Sequence, residues 1–265
     1  MEEAFVISGH HKPAFKWRAR ARAMAIHLAI SAAVAALAAM FVFGLWYPYP
    51  YREISGGREL FLLLVTVDVI LGPLITFAIF NQAKPRAELR RDLTVVGLLQ
   101  LAALAYGLWI VAIARPVHLV FEIDRYRVVH AIDVPAELLP SSPDKVVSFS
   151  WTGPKLMAVR PFASEEEKME ATMAALQGVD LGARPDLWEP YEQAQPRVLA
   201  ASKPVTDLLG RFPAHAAEID KVLGRMNRPA AGVSYLPMVG RKSFWTVLVD
   251  ARTAEVLAYL PIDSF

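Results

Sequence analysis

The chain has 265 residues, 55% of them hydrophobic, with a mean hydropathy of +0.33; soluble proteins are usually about 45–50% apolar. The net charge of +2 hides a split, because residues 1–115 carry 12 Lys+Arg against 7 Asp+Glu and residues 116–265 carry 16 against 19. With no cysteine, disulfides, thiolate chemistry and Cys-based metal sites are excluded, and the second part has no basic stripe of the kind that nucleic acid requires.

Residues 1–22 form a basic N-terminal segment, and three apolar runs follow at about residues 23–47, 60–80 and 93–114. Each is roughly 20 residues long, the length that crosses a hydrocarbon core of about 30 Å. The first run is too long for the apolar core of a signal peptide, so it reads as a retained anchor. Lys12, Lys16, Arg18, Arg20 and Arg22 precede the first span, and Lys84, Arg86, Arg90 and Arg91 lie between the second and third. Only Arg52, Arg58 and Arg115 flank the other side. The bias puts the N-terminus in the cytoplasm and residues 116–265 across the inner membrane, in the periplasm. Trp17, Trp46, Tyr47, Tyr49, Tyr51 and Trp109 read as interfacial aromatics. Short loops predict a compact antiparallel bundle. Small residues four apart (Ala25, Ala29 and Ala33; Ala32 and Ala36; Ala103 and Gly107) are placed for close helix approach.

The second span contains a carboxylate, Asp68, followed by the helix-breaking pair Gly72-Pro73. A charged side chain at the centre of a span costs roughly 2.5–3.5 kcal/mol on insertion scales. Counting helical rise places Asp68 somewhat outward of mid-membrane, with Tyr106 of the third span nearly level, Gln100 about two turns closer to the cytoplasm, and His27 level with Thr76. Two readings follow. Asp68 bonds to Tyr106 and fixes the bundle, or it waits for a polar or cationic group on a partner. Gly72-Pro73 interrupts the helix and opens a notch near it.

Residues 116–265 read as a periplasmic α+β domain. Residues 115–134 form one or two strands, and VVSFSW, residues 146–151, forms another. A helix runs from Ser164, paired with Glu167 in a capping box, to a stop at Gly178. One short helix lies in WEPYEQAQPRVLAAS and a clear one in AHAAEIDKVLGRM. The tail reads as strands, with residues 244–250 and 255–260 joined by a turn at Asp250. The fold class is thus a three-helix transmembrane bundle followed by a small α+β domain with an antiparallel sheet.

No nucleotide-binding, serine-hydrolase or zinc-protease motif occurs, and the six histidines have no metal-site spacing. His118 and His130 can meet across a hairpin, which keeps a membrane-embedded enzyme, with Asp68 or these histidines as catalyst, as the alternative. A sensor needs a cytoplasmic output module, and the stretch before the first span is too short for one. Arg125, in an Arg-Tyr-Arg cluster, is a candidate contact for lipid headgroups or a partner.

WYPYPY at residues 46–51, LLLVTVDVILGPLITFAIF in the second span, the passage from LLQLAALAYGLWIVAIA into RPVHLVFEIDRYRVV, and LPMVGRKSFWTVLVDARTAEVL near the end occur together. This set resembles the TfpX/TfpZ family of type IV pilin accessory proteins over roughly residues 20–262. The resemblance implies a non-catalytic inner-membrane helper with neither cofactor nor small-molecule substrate, which stabilises or presents major pilin before assembly. It also implies a partner for Asp68, the terminal amine of a pilin's hydrophobic N-terminal helix. Asp68, Gly72, Pro73, Gln100, Tyr106 and Arg125 are the candidate site residues.

Overall fold

The computed structural model describes residues 17–81, 83–141 and 150–265. Residues 146–149 of the strand expected at VVSFSW and most of the basic N-terminal segment lie outside the described residues. The chain folds into two compact units. One comprises the first span to Leu37 together with Leu62–Leu108, and the other Ala38–Phe61 together with Trp109–Phe265.

In the first unit the three apolar runs are helical. Helix α1 spans Trp17–Phe41 and runs into a wide π turn, Val42–Trp46. After the short α2 (Tyr51–Ile54), the second span is built of α3 (Gly57–Thr66), a π turn (Val67–Leu71) and α4 (Gly72–Ile79). The third is α5, Arg86–Ile113. All three are long and apolar enough to cross a membrane, and the protein is membrane-anchored. The helices extend beyond the apolar runs at their basic ends, because Arg and Glu are good helix formers and their charges reach water there.

The seam between the second and third spans is made by glycine. At Gly107 an added Cβ would run into the Leu64 side chain. The alanine ladder of α1 does not serve as a seam: Ala25, Ala29, Ala32, Ala33 and Ala36 are exposed. Polar contacts fasten α1 instead. His27 Nδ1 lies 2.5 Å from Thr76 Oγ1, the pair that rise-counting placed at one depth. Arg20 donates to the Ala78 carbonyl at 3.1 Å, where a cation meets the negative end of α4.

The second unit is built on one mixed sheet. Its strands are β1 (Pro116–Phe121), β2 (Tyr126–His130), β3 (Lys155–Val159), β4 (Trp188–Pro190), β5 (Lys203–Pro204), β6 (Val233–Val239), β7 (Phe244–Asp250) and β8 (Val256–Leu260). The order is β4-β3-β1-β2-β6-β7-β8, with β5 beside β6. Most neighbours are antiparallel, but β1–β3 and β2–β6 run parallel. Helices α6 (Glu165–Leu176), α7 (Tyr191–Ala201), α8 (Val205–Arg211) and α9 (Ala216–Met226) complete the unit. The short helix expected in WEPYEQAQPRVLAAS is α7; α8, just beyond that stretch, has only seven residues, too few for a periodic signal.

Side chains alternate across the sheet as strand geometry demands. Leu119, Phe121, Val247 and Val249 pack in one core cluster with Tyr191 and Val198 of α7. Their neighbours Val120 and Leu248 belong to two other clusters, with Ala171 of α6 and with Leu208 and Ile219 of α8 and α9. Ser164 caps α6 by accepting from the Glu167 N–H. Glu167 accepts from the N–H of Ala163 instead of Ser164, and pairs with Arg160, so one half of the expected capping box is displaced by a residue.

The largest departure concerns residues 46–54. Read as a membrane-interface loop, they are part of the domain core. Tyr47 and Ile54 are fully buried, and Trp46 and Tyr51 nearly so. Tyr51 and Ile54 join the α7-side cluster, and the hydroxyls of Tyr51 and Tyr259 are 3.0 Å apart. The Ile54 carbonyl accepts from the Lys242 N–H at 2.9 Å, and Lys242 also pairs with Glu59. Gly240 allows this approach, because an added Cβ would stand 2.9 Å from both Ile54 Cβ and Ile54 O. Of the aromatic residues in this segment only Tyr49 is well exposed. An aromatic ring with a polar tip suits a membrane interface and a domain core equally well, so the sequence reads the same for both.

Replacing Ile54 by Ala therefore costs about 2–5 kcal/mol. The full chain in detergent, followed by tryptophan fluorescence, should show a lowered unfolding midpoint, whereas a change in a mere surface loop would be near neutral. A second expectation concerns acid. Burial pulls the His118 imidazole down from its ordinary 6.5 to about 4. The folded chain then holds the neutral ring while the unfolded chain takes up the proton. The contribution, roughly 3 kcal/mol at 1.36 kcal/mol per pH unit, is complete above pH about 6.5 and falls away toward pH about 4. A His118→Leu variant should lose that part of the stability slope between pH 7 and 5.

Candidate functional site in the membrane spans

The second span crosses as Gly57–Ile79, 23 residues, and Asp68 is the twelfth. It is the middle residue of this helical stretch, whose first turn adds Gly57, Arg58 and Glu59 ahead of the apolar run. The break expected from Gly72-Pro73 takes the form of the π turn around Asp68. In such a turn a carbonyl looks to the N–H five residues on, which for Asp68 is Pro73, a residue with no N–H. The orphaned oxygen is satisfied from the third span: Gln100 Nε2 donates to the Asp68 carbonyl at 3.1 Å. Gly72 makes this possible, because an added Cβ would occupy the place of the Gln100 amide.

Four of the expected residues, Asp68, Gly72, Pro73 and Gln100, are thus brought together. The contact goes through the main-chain oxygen of Asp68, and its carboxylate has no hydrogen-bond or ion-pair partner among the described residues. No bond joins Asp68 to Tyr106. Gly107, the residue after Tyr106, packs against Leu64, one turn away from Asp68, and the Tyr106 side chain points outward, 65% exposed. The count in straight helices makes no allowance for the π turn around Asp68.

The other candidates separate. His118 pairs with Val129 in the β1–β2 ladder, and His130 stands opposite Pro116. The His118 ring packs edge-on against Trp188, and His130 Nδ1 lies 3.0 Å from Asp133. Burial pulls the His130 imidazole below its ordinary value against the raising effect of Asp133. The histidine pair, one of the two catalysts that the enzyme reading offered, is not formed. Arg125 pairs with Asp124 and lies over the Phe265 ring at 5.0 Å. Asp250 turns the β7–β8 connection as expected, accepting from the N–H groups of Arg252 and Thr253.

The domain holds two clefts that the sequence did not signal. One, about 860 Å³, is largely apolar and runs past Ile123, Phe162 and Ala200 beside Arg160 and Arg197. Both arginines are already engaged, with Glu167 and Glu189. The other, about 460 Å³, is polar and lies among Arg127, His130, Asp133, Asp180 and Arg241. Its cations are also internally paired, Arg127 with Glu122 and Asp180, and Arg241 with Asp133. The described residues contain no cluster of three or more metal-ligating side chains.

The glycine–glutamine lock is directly testable. Gly72→Ala expels the Gln100 amide, and Gln100→Leu removes it while leaving glycine in place. Hydrogen bonds between membrane helices contribute about 0.6 and at most about 1.7 kcal/mol. Gln100→Leu should therefore lower stability within that range in a steric-trapping or denaturant titration in bicelles. Gly72→Ala should cost more, since it adds a clash, and the double variant should recover part of the difference.

A family model described as fimbrial assembly protein FimB matches residues 15–56, a stretch that covers the first span and the buried segment through Ile54. Two curated relatives match far more of the chain. Fimbrial assembly protein, serogroup I, of Dichelobacter nodosus is 33% identical over 223 residues, 83% of this chain and 86% of the relative. The serogroup E1 protein of the same organism is 33% identical over 225 residues with the same coverage. A shorter match, to the protein of serogroups C1 and C2, is 39% identical over 98 residues, 37% of this chain and 75% of the relative. No solved structure matches the chain significantly. A membrane-anchored chain with an α+β domain, matched at this identity over most of both lengths, belongs to the fimbrial assembly protein family.

Proposed function

We propose that the chain is a type IV pilin accessory protein of the kind implied by its resemblance to TfpX/TfpZ. It sits in the inner membrane with its N-terminus in the cytoplasm and its sheet domain in the periplasm, binds major pilin, and stabilises or presents it before pilus assembly. It performs no chemistry on the pilin. The observation that carries this reading is the match to fimbrial assembly proteins across both the spans and the domain. The charge asymmetry around the spans supports the orientation. The register that sets His118 opposite Val129 and His130 opposite Pro116 weakens the histidine form of the enzyme reading.

In its native cell, the chain crosslinked in the membrane and identified by mass spectrometry should yield major pilin as the dominant partner, and deletion of the chain should reduce assembled pili. Pilin absent from the crosslinked material, with pili at normal number after deletion, would overturn the reading. Orientation is checked separately: a cysteine introduced by Phe265→Cys should react with a membrane-impermeant maleimide added to the periplasm.

A further inference from the structure

We infer that the face of the second span around Asp68 is a docking site for a transmembrane helix of a different protein, one that brings a cationic group to mid-membrane. The carboxylate lies inside the apolar run 60–80 of the second span and has no partner among the described residues. It does not stabilise its own helix, since Gln100 bonds the main-chain oxygen. Beside it, Val67, Ile70 and Leu71 are large, apolar and exposed, a surface that fits a helix side. An ionised carboxylate in hydrocarbon requires a cation or strong donor.

The cation cannot come from this chain. The apolar runs 23–47, 60–80 and 93–114 contain neither Lys nor Arg, and His27, the only histidine in them, is bonded to Thr76. A second copy would therefore bring a second carboxylate and no counter-charge. Charge complementarity selects a foreign helix with an amine or guanidinium near its middle. This extends the accessory reading, and rests on it only for the expectation that a membrane partner exists.

The test uses a synthetic helix, so that its failure and the failure of pilin capture are separate events. The chain contains no cysteine, so Ala83→Cys, in the exposed loop between the second and third spans, gives a single site for a donor dye. The full chain is reconstituted in phosphatidylethanolamine–phosphatidylglycerol vesicles with an acceptor-labelled Leu-rich transmembrane peptide carrying one central Lys. The control peptide carries Met there. The Lys peptide should reach half-maximal energy transfer at about tenfold lower peptide-to-lipid ratio than the Met peptide. Asp68→Asn, which keeps shape, should abolish the difference, and Asp68→Glu should restore most of it. Equal binding of the two peptides, or a difference that survives Asp68→Asn, overturns the inference. So does energy transfer between two labelled copies of the chain that is lost in Asp68→Asn, because it assigns the face to self-association.

Discussion

The full burial of Ile54 is the constraint on which the sheet unit depends. Its side chain fills the same cluster as Leu236, Met238 and Val247, residues that the chain reaches only after the third span and most of the domain. Its carbonyl closes on the Lys242 N–H, and Gly240 leaves out the one atom that would keep the two segments apart. The connection between the first two spans is thereby a structural element of the sheet domain. Pro48 and Pro50 contribute by stopping the first span and fixing φ on the way to α2. Tyr47 adds a second anchor, donating from its hydroxyl to the Val111 carbonyl at 3.2 Å. A domain begun at residue 116 would lack Tyr51 and Ile54 from its core.

The buried hydroxyls of that core follow the same logic of satisfaction. Tyr126 and Tyr191 meet at 2.6 Å, and Tyr191 also reaches the Ala254 carbonyl. Each is large and apolar over most of its surface, so it adds burial while its single polar atom is bonded. Charges are handled likewise. Glu122, nearly buried, accepts from Arg127 and from the Gly182 N–H, and Arg184 is held by Asp186 and Glu170. Arg115, buried at the start of the domain, donates to the Ala112 and Ser150 carbonyls and lies 4.5 Å over Trp151. These networks position loops and leave the domain's clefts lined with groups already engaged.

How much of this is written in the sequence differs by element. The spans are legible because composition and length alone decide them. The β6–β8 meander is legible from alternation and from Asp250, whose side chain closes its turn. His27 and Thr76 were placed at one depth by counting residues in straight helices, and the count holds because no π turn lies between Thr76 and the cytoplasmic end of its span. It fails for Asp68 and Tyr106, since Val67–Leu71 is a π turn and every residue beyond it is displaced. The core role of Tyr47–Ile54 was not legible, because aromatic residues and prolines after a span carry the same signal at a membrane interface. The parallel pairings β1–β3 and β2–β6 were hidden for another reason: they join segments far apart in sequence, and alternation says which face is buried but not which strand is next.

Asp68 then poses a question that the fold does not answer. Pro73 leaves a carbonyl without its donor, and Gln100 supplies one; Gly72 makes room. Any residue at position 68 offers that same main-chain oxygen, so the lock works as well with leucine as with aspartate. Leucine would also remove the cost of placing a carboxylate at mid-span. The π turn explains Gly72, Pro73 and Gln100 completely, and it explains nothing about the acid between them. In a bilayer each unsatisfied polar group is expensive, and this carboxylate makes no hydrogen bond or ion pair among the described residues. The glycine–glutamine lock brings the second and third spans together beside the carboxylate. That combination, a packed frame with one carboxylate unmatched among the described residues, is what the proposed docking of a cationic helix rests on.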